Sequence, residues 1–271
     1  MNFGRTNKYL GVLLIAFFLF SALLGWLWTP YDPLALDLRA RLQTPGAAHW
    51  LGTDEYGRDV LSRLMTAART SVTISALTVS FAVAFGVVLG ALSGYARGWV
   101  DRVVMLLTDT LLAFPSILLA LALLSILGAN IWGVILALGL AYMPTVTRVV
   151  RGAVMSLREQ EFIEASRLMG HPVGYTLRAH IIPNCLAPLI VIATSMFGSV
   201  LLTESALSFL GLGVPPPAPT WGNMLAGARP YMSQASWLGI FPGLCIALTL
   251  MGINLFGDHV RDRFDPRMKG L

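Results

Sequence analysis

The sequence predicts an all-α membrane protein with six membrane-spanning helices. Hydrophobic residues make up 56% of the 271-residue chain and charged residues 12%, whereas about a quarter of an ordinary soluble domain is charged. Uncharged stretches of about 20 residues, long enough for a helix to cross the ~30 Å hydrocarbon layer, recur along the chain. This composition excludes a soluble globular protein.

The N-terminal quarter is predicted to contain one span and one long outer loop. Residues 1–8 form a short cytoplasmic N-terminus, residues 9–28 form an uncharged first span, and residues 29–69 form the loop. At the end of this loop, an apolar stripe opposed by arginines predicts a short helix lying on the outer surface before the second span begins. The stripe consists of Val60, Leu61, Leu64, Met65 and Ala68, and the arginines are Arg58, Arg63 and Arg69.

The helical core, residues 70–257, is predicted to hold spans two to six. No charge occurs between Asp109 and Arg148, a stretch too long for one helix, and the Gly-Ala-Asn break at residues 128–130 divides it. The five spans of the core are assigned to residues 70–96, 103–127, 131–150, 186–210 and 237–256. Residues 258–271 are predicted to form a cytoplasmic C-terminal tail.

The distribution of lysine and arginine predicts that both termini are cytoplasmic. With the N-terminus inside, thirteen of the 19 basic residues fall on inner segments and six on outer ones, as the positive-inside rule requires. The basic residues flank membrane spans, so the net charge of +5 indicates contact with membrane lipid and no nucleic acid partner.

Residues 151–185, between spans four and five, are predicted to form a polar cytoplasmic loop that holds two jointed helices. Gly170 ends the first helix because glycine adopts the left-handed conformation readily, and Pro172 suits the first turn of the second. The first helix is amphipathic, and its charged and apolar faces consist of Glu161, Glu164 and Arg167 and of Phe162, Ala165, Leu168 and Met169.

This loop resembles the cytoplasmic coupling loop of importer-type ABC permeases. Residues that match the family pattern in register are Glu164, Ala165, Gly170 and Pro183, whereas Ser166, His180 and Ile182 depart from it. Two further stretches are similar to signatures of the peptide and nickel branch, in its second permease subunit. They are LGTD and GRD at residues 51–54 and 57–59, and ALSFLGLG, PPP and WG at residues 206–213, 215–217 and 221–222.

The resemblance implies a type I ABC importer permease in the bacterial cytoplasmic (inner) membrane. Its expected partners are a second permease subunit in a heterodimer, two cytoplasmic ATPase subunits and an extracytoplasmic substrate-binding protein. The expected ATPase-coupling interface consists of Glu161, Glu164, Ala165, Ser166, Arg167, Met169, Gly170 and Pro172. Peptides are the favoured cargo, and nickel or a metal chelate is the alternative.

The chain itself is expected to have no catalytic residues, cofactor or metal site. An ATP-binding loop has the pattern Gly-x-x-x-x-Gly-Lys-Ser/Thr, and the only two lysines, Lys8 and Lys269, have no glycine-rich surroundings. ATP and magnesium are therefore expected in the partner ATPase subunits. The four histidines are dispersed over loops on both sides, without the spacing of a metal site.

Several further residues are candidates for particular roles. Asp109 and Glu204 lie inside predicted spans, where a charge usually faces a cavity or a polar partner. Each is a candidate for the translocation path or gate, and hydrogen bonding to a neighbouring helix is the structural alternative. In the outer loop, Asp54 and Arg58 are candidates for binding-protein contact. Helix packing is predicted for the small-residue strip Gly86, Gly90 and Gly94.

Two functions of other classes compete with the importer. A proton-coupled secondary transporter could use Asp109 and Glu204 as proton relays, but it would normally show inverted repeats, and the two halves of the sequence show no such duplication. A membrane-embedded enzyme would need a nucleophile–base pair or metal ligands at membrane depth. Neither alternative accounts for the jointed loop.

Overall fold

The chain is described by a computed structural model that covers the backbone of residues 3–264 and the side chains of residues 9–262. Across these residues, every secondary-structure element is a helix. One isolated β-bridge joins Thr53 and Asp59. Five helices are long and apolar enough to cross a membrane. They are α1 (Phe3–Leu27), α2 (Val60–Ala96), α5 (Ile131–Leu157), α9 (Leu186–Phe209) and α11 (Trp237–Phe264).

The remaining helices are shorter. Between the long spans lie α3 (Gly98–Leu112), α4 (Ser116–Leu127), α6 (Glu161–Leu168), α7 (Val173–Thr176), α8 (Ile182–Asn184) and α10 (Trp221–Ala228). Short 3-10 helices form at Leu38–Ala40 and Arg229–Tyr231, and a π-helical turn at Leu177–Ile181 joins α7 to α8. The all-α membrane class predicted from composition is confirmed.

The third span is broken, so the prediction of one helix over residues 103–127 is wrong. Helices α3 and α4 meet at 97°. Pro115 lies at the junction in an extended conformation, with ψ 132°, and it has no backbone N–H with which to continue a helix. Within residues 3–264, the number of candidate spans is therefore six if the bent pair counts as one.

The predicted surface helix is not a separate element, because it forms the first turns of α2. No glycine or proline occurs in the first 26 residues of this 37-residue helix, so nothing in the sequence interrupts it. Its N-terminus is capped by Asp59, whose carboxylate accepts a hydrogen bond from the Ser62 backbone N–H at 2.8 Å. The outer loop therefore ends at Asp59 instead of residue 69.

Three further boundaries differ from the prediction. Helix α5 continues seven residues beyond residue 150, and α11 runs through Phe264 into the predicted tail, whose remaining residues, 265–271, lie outside the described part. Helix α10 was not predicted. A capping box starts it, in which Thr220 accepts from the Asn223 N–H and Asn223 accepts from the Thr220 N–H.

The core of the subunit is the packing of α2 against α5. Gly86, Gly90 and Gly94 face α5 so closely that a Cβ on Gly90 would lie 2.6 Å from the Thr147 carbonyl oxygen. Small residues let two helix backbones approach in this way. A second cluster joins α1, the start of α2, α10 and α11 around Trp221, which is 1% exposed.

Candidate functional site

Residues 161–184, here called the jointed segment, consist of α6, a sharp turn, α7, the π-helical turn and α8. The turn depends on Gly170, which has φ +76°, a conformation that side-chain-bearing residues rarely adopt. The Gly170 N–H donates to the Arg167 carbonyl at 2.9 Å, and the His171 N–H to the Ser166 carbonyl at 3.3 Å. This pair of bonds is a Schellman motif, and it fixes the angle at which the chain leaves α6.

The buried side of the jointed segment is continuous with the hydrophobic core of the long helices. Ile163 and Ile181 are fully buried. Ser166 and Thr176 are buried beside them, with their hydroxyl oxygens 3.1 Å apart. These contacts bind the two halves of the segment together. Ser166 was predicted to lie in the ATPase-coupling interface, and this is wrong because its side chain faces inward.

The exposed face of the jointed segment carries large apolar side chains. Leu168 is 83% exposed and Met169 74% exposed. Phe162 and Val173 are about half exposed. The other predicted interface residues with exposed positions are Glu161, Glu164, Ala165, Arg167, Gly170 and Pro172. Such apolar exposure on a polar loop is typical of a surface that contacts another protein or the membrane.

The jointed segment is attached to the C-terminal end of α2 through Tyr95. The Nε of Arg167 donates to the Tyr95 hydroxyl at 3.4 Å, and Arg158 donates to the Tyr95 carbonyl oxygen. Both guanidinium groups also lie over the Tyr95 ring, at 5.2 and 5.8 Å. Sequence reasoning missed Tyr95 and Arg158, because the contact joins residues more than 60 positions apart.

Asp109, a pathway candidate, is paired with a residue that sequence reasoning did not select. Its carboxylate lies 2.6 Å from the Arg148 guanidinium on α5, and both side chains are more than half exposed. About one turn further toward the C-terminal end of α5, Arg151 makes two hydrogen bonds to Asp101, at 2.6 and 2.7 Å. These ion pairs hold α3 against α5. The sequence does place Arg148 and Arg151 one turn apart on α5, a spacing that could have indicated these ion pairs.

Glu204, a candidate for the translocation path or gate, does not face a pathway in this structure. The residue is fully buried within the subunit, and its Oε1 accepts a hydrogen bond from the Ser208 hydroxyl at 2.8 Å. The Glu204 Oε2 has no hydrogen-bond partner among the described residues, although the side chains of Thr220, Ser205 and Ser71 lie near the carboxyl group. Glu204 therefore belongs to the contact between α2, α9 and the start of α10.

Asp54 is the centre of a buried network in the outer loop. It is 5% exposed and accepts from the backbone N–H groups of Tyr56 and Arg58 at 2.9 Å each. Its carboxylate also lies 2.7 Å from the Arg58 Nε and 3.3 Å from the Arg63 Nε. The Asp54 carboxylate, a candidate for binding-protein contact, is therefore directed into the loop and committed to internal partners. Arg63, predicted to oppose the apolar stripe of a surface helix, is buried in this network.

Arg58 is mostly covered, and other residues of the outer loop are more accessible. The Arg58 side chain is 12% exposed and lies over the Tyr56 ring at 4.5 Å. Tyr56 itself is 48% exposed, and Trp50 is 68% exposed. These two aromatic residues are better placed than Asp54 or Arg58 to meet a protein from outside.

The fold and the jointed segment define a membrane subunit of a transport system, and comparison with known proteins gives its family. Residues 86–270 match the family described as binding-protein-dependent transport system inner membrane component. The chain belongs to this family, and the resemblance found in the sequence is confirmed. The dipeptide transport system permease protein DppC of Alkalihalophilus pseudofirmus is 42% identical over 267 residues, which cover 98% of this chain and 88% of that protein.

Solved structures give the same fold. An inward-facing MetNI methionine ABC transporter superposes with a TM-score of 0.62 at 18% identity, over 74% of this chain and 96% of the other. An amino acid ABC transporter superposes with a TM-score of 0.55 at 14% identity, over 75% and 92%. The fold is that of a type I ABC importer permease, and the protein is an integral protein of the inner membrane.

Proposed function

We propose that this chain is a permease subunit of an ATP-driven importer of di- or oligopeptides. The observation that carries the proposal is the jointed segment, a rigid pair of helices that exposes Leu168 and Met169 and is tied to α2 through Tyr95. The chain is 42% identical to a dipeptide permease over nearly its whole length, and this similarity supports peptides as cargo.

The partners follow from what a permease needs to move cargo. A second permease completes the pathway, and two cytoplasmic ATPase subunits bind ATP and magnesium and hold the exposed face of the jointed segment. An extracytoplasmic binding protein delivers the peptide. Both termini and the jointed segment face the cytoplasm, as the excess of inner lysine and arginine favours.

Force reaches the spans through identifiable contacts. Movement of α6 pulls on Tyr95 through Arg167, and so on the C-terminal end of α2. The close packing of α2 on α5 makes these two helices move as one body, because a close-packed interface transmits strain. The exposed Asp109–Arg148 pair faces the second permease or the pathway, since a charge pair facing lipid is costly.

The test is reconstitution of the chain with its neighbouring permease, ATPase and binding-protein subunits in lipid vesicles. Uptake of labelled dipeptides and of nickel chelates is measured with and without ATP. ATP-dependent peptide uptake is expected. Uptake of nickel chelates alone would support the alternative cargo, and uptake driven by a proton gradient without ATPase subunits would contradict the mechanism.

A further inference from the structure

A cavity of about 620 Å³ opens between the outer loop, the loop that follows α9, and α10. Its apolar walls include Leu34, Val214, Met224 and the prolines 215–217. Asn223 holds one wall in place by donating to the Ala218 carbonyl at 2.8 Å. The volume is within the range of small-ligand pockets, about 300–1,000 Å³, and is large enough for a short peptide.

Four charged side chains line one side of this cavity, and their pairing is uneven. Asp54 receives the short contacts from Arg58 and Arg63, at 2.7 and 3.3 Å. Glu55 has a single ion-pair contact among the described residues, with the Arg58 Nη2 at 3.7 Å, which is too long for a good hydrogen bond. The Glu55 carboxylate and the outer nitrogen of Arg58 thus both retain capacity for a further partner.

Glu55 is positioned toward the cavity and only partly solvated. Its side chain is 18% exposed, and its Oε1 lies beside Gly227 on the α10 wall, where a Cβ would come within 3.6 Å. Burial, the largest influence, raises the pKa of the Glu55 carboxyl above its ordinary value, and the neighbouring Asp54 acts in the same direction. A cation placed beside Glu55 would stabilise the negative charge of its carboxylate, which the 3.7 Å contact with Arg58 stabilises only in part.

We propose that this outer cavity binds the zwitterionic backbone of a short peptide, with the ammonium group on Glu55 and the carboxylate on the outer nitrogens of Arg58. The four side chains carry no net charge together, which suits a ligand that is itself neutral but bears one charge at each end. The site would hold the peptide between its release by the binding protein and its entry into the pathway. This inference rests on the proposed peptide import.

The experiment measures peptide binding to the purified permease and ATPase assembly without its binding protein, by saturation-transfer NMR. The probes are alanyl-alanine, N-acetyl-alanyl-alanine, which lacks the ammonium group, and alanyl-alanine amide, which lacks the carboxylate. Each blocked probe is expected to bind about tenfold more weakly, the loss of one charge-assisted contact. Glu55→Gln is expected to weaken alanyl-alanine by a similar factor and to leave the N-acetyl probe unchanged.

The matched control is Glu159→Gln. It makes the same chemical change at a glutamate that is 69% exposed and does not line the cavity. It should leave all three affinities unchanged. Equal binding of free and N-acetylated peptide, no effect of Glu55→Gln, or no binding of alanyl-alanine would each overturn the inference. Dipeptide uptake by the complete wild-type system is measured in parallel, and its absence would instead refute the proposed function.

Discussion

The Nε of Arg167 and the hydroxyl oxygen of Tyr95 lie 3.4 Å apart, so that the first helix of the jointed segment is hydrogen-bonded to the C-terminal end of α2. Tyr95 also receives two guanidinium groups against its ring. The contact crosses 72 positions of sequence, and it connects the surface proposed to meet the ATPase with the most closely packed helix of the subunit.

Replacing Tyr95 by alanine should uncouple ATP hydrolysis from transport. The substitution removes the ring and the hydroxyl, contacts worth together about 1–2 kcal/mol, and uptake per ATP hydrolysed should fall roughly fivefold. Tyr95→Phe, which keeps the ring and loses only the hydroxyl, should show less than half of this reduction. Both rates are measured in the same vesicles, and an unchanged ratio in Tyr95→Ala would show that force takes another route.

The turn at Gly170 should be sensitive to a side chain for conformational reasons alone. A Cβ at Gly170 or at Gly174 would meet nothing within 4 Å, but only Gly170 has a positive φ, +76°. Gly170→Val should therefore reduce uptake strongly, since β-branched residues strain this conformation, while Gly174→Val serves as the control and should transport normally. Equal uptake by the two variants would mean that the angle of the turn does not matter.

Packing of α2 on α5 should make Gly90 intolerant of even a methyl group. In Gly90→Ala the new Cβ would approach the Thr147 carbonyl oxygen and the Val150 Cβ to 2.6 and 2.8 Å, and such overpacking typically costs about 1–3 kcal/mol. Gly152→Ala on α5 has open space and should be neutral or stabilising by up to ~1 kcal/mol. Thermal unfolding of the purified assembly in detergent compares them, and equal midpoints would refute the close approach.

Glu204 should matter for stability and leave cargo preference unchanged. Because the residue is buried and hydrogen-bonded to Ser208, Glu204→Ala should destabilise the subunit by about 2–5 kcal/mol through the cavity it leaves. Glu204→Gln retains the shape and an acceptor and should cost less. Expression level, thermal midpoint and competition among dipeptides are compared, and altered preference at normal stability would return Glu204 to the pathway.

Much of the architecture follows from the sequence because hydrophobic length and helix signals are local. The start of α5 at Ile131 was predicted from the Gly-Ala-Asn break, and Asn130 indeed caps that helix by accepting from the Gly133 N–H at 2.9 Å. The starts of α9 at Leu186 and of α6 at Glu161 also follow from local sequence, from the apolar run and from the amphipathic pattern respectively. The 97° bend at Pro115 was not predicted, since hydropathy is the same for a straight span and a broken one.

The errors at the candidate site arise from tertiary contacts that hydropathy does not encode. Asp54 and Ser166 are of polar types that usually lie on the surface. In this structure two arginines cover the first, and Thr176 packs against the second. Glu204 was a candidate for the translocation path or gate because a charge in a span is unusual. The hydroxyl groups around it come from three separate elements, which only folding brings together.

The central claim is that the jointed segment lies in the cytoplasm against an ATPase subunit, and a single cysteine at Met169 tests it most directly. In a background with Cys185 and Cys245 replaced by alanine, the cysteine of the Met169→Cys variant should resist a membrane-impermeant maleimide added to intact cells, react in inverted vesicles, and form a cross-link to the ATPase subunit that nucleotide modulates. Labelling in intact cells, or no cross-link to any ATPase subunit in the assembled complex, would contradict the claim.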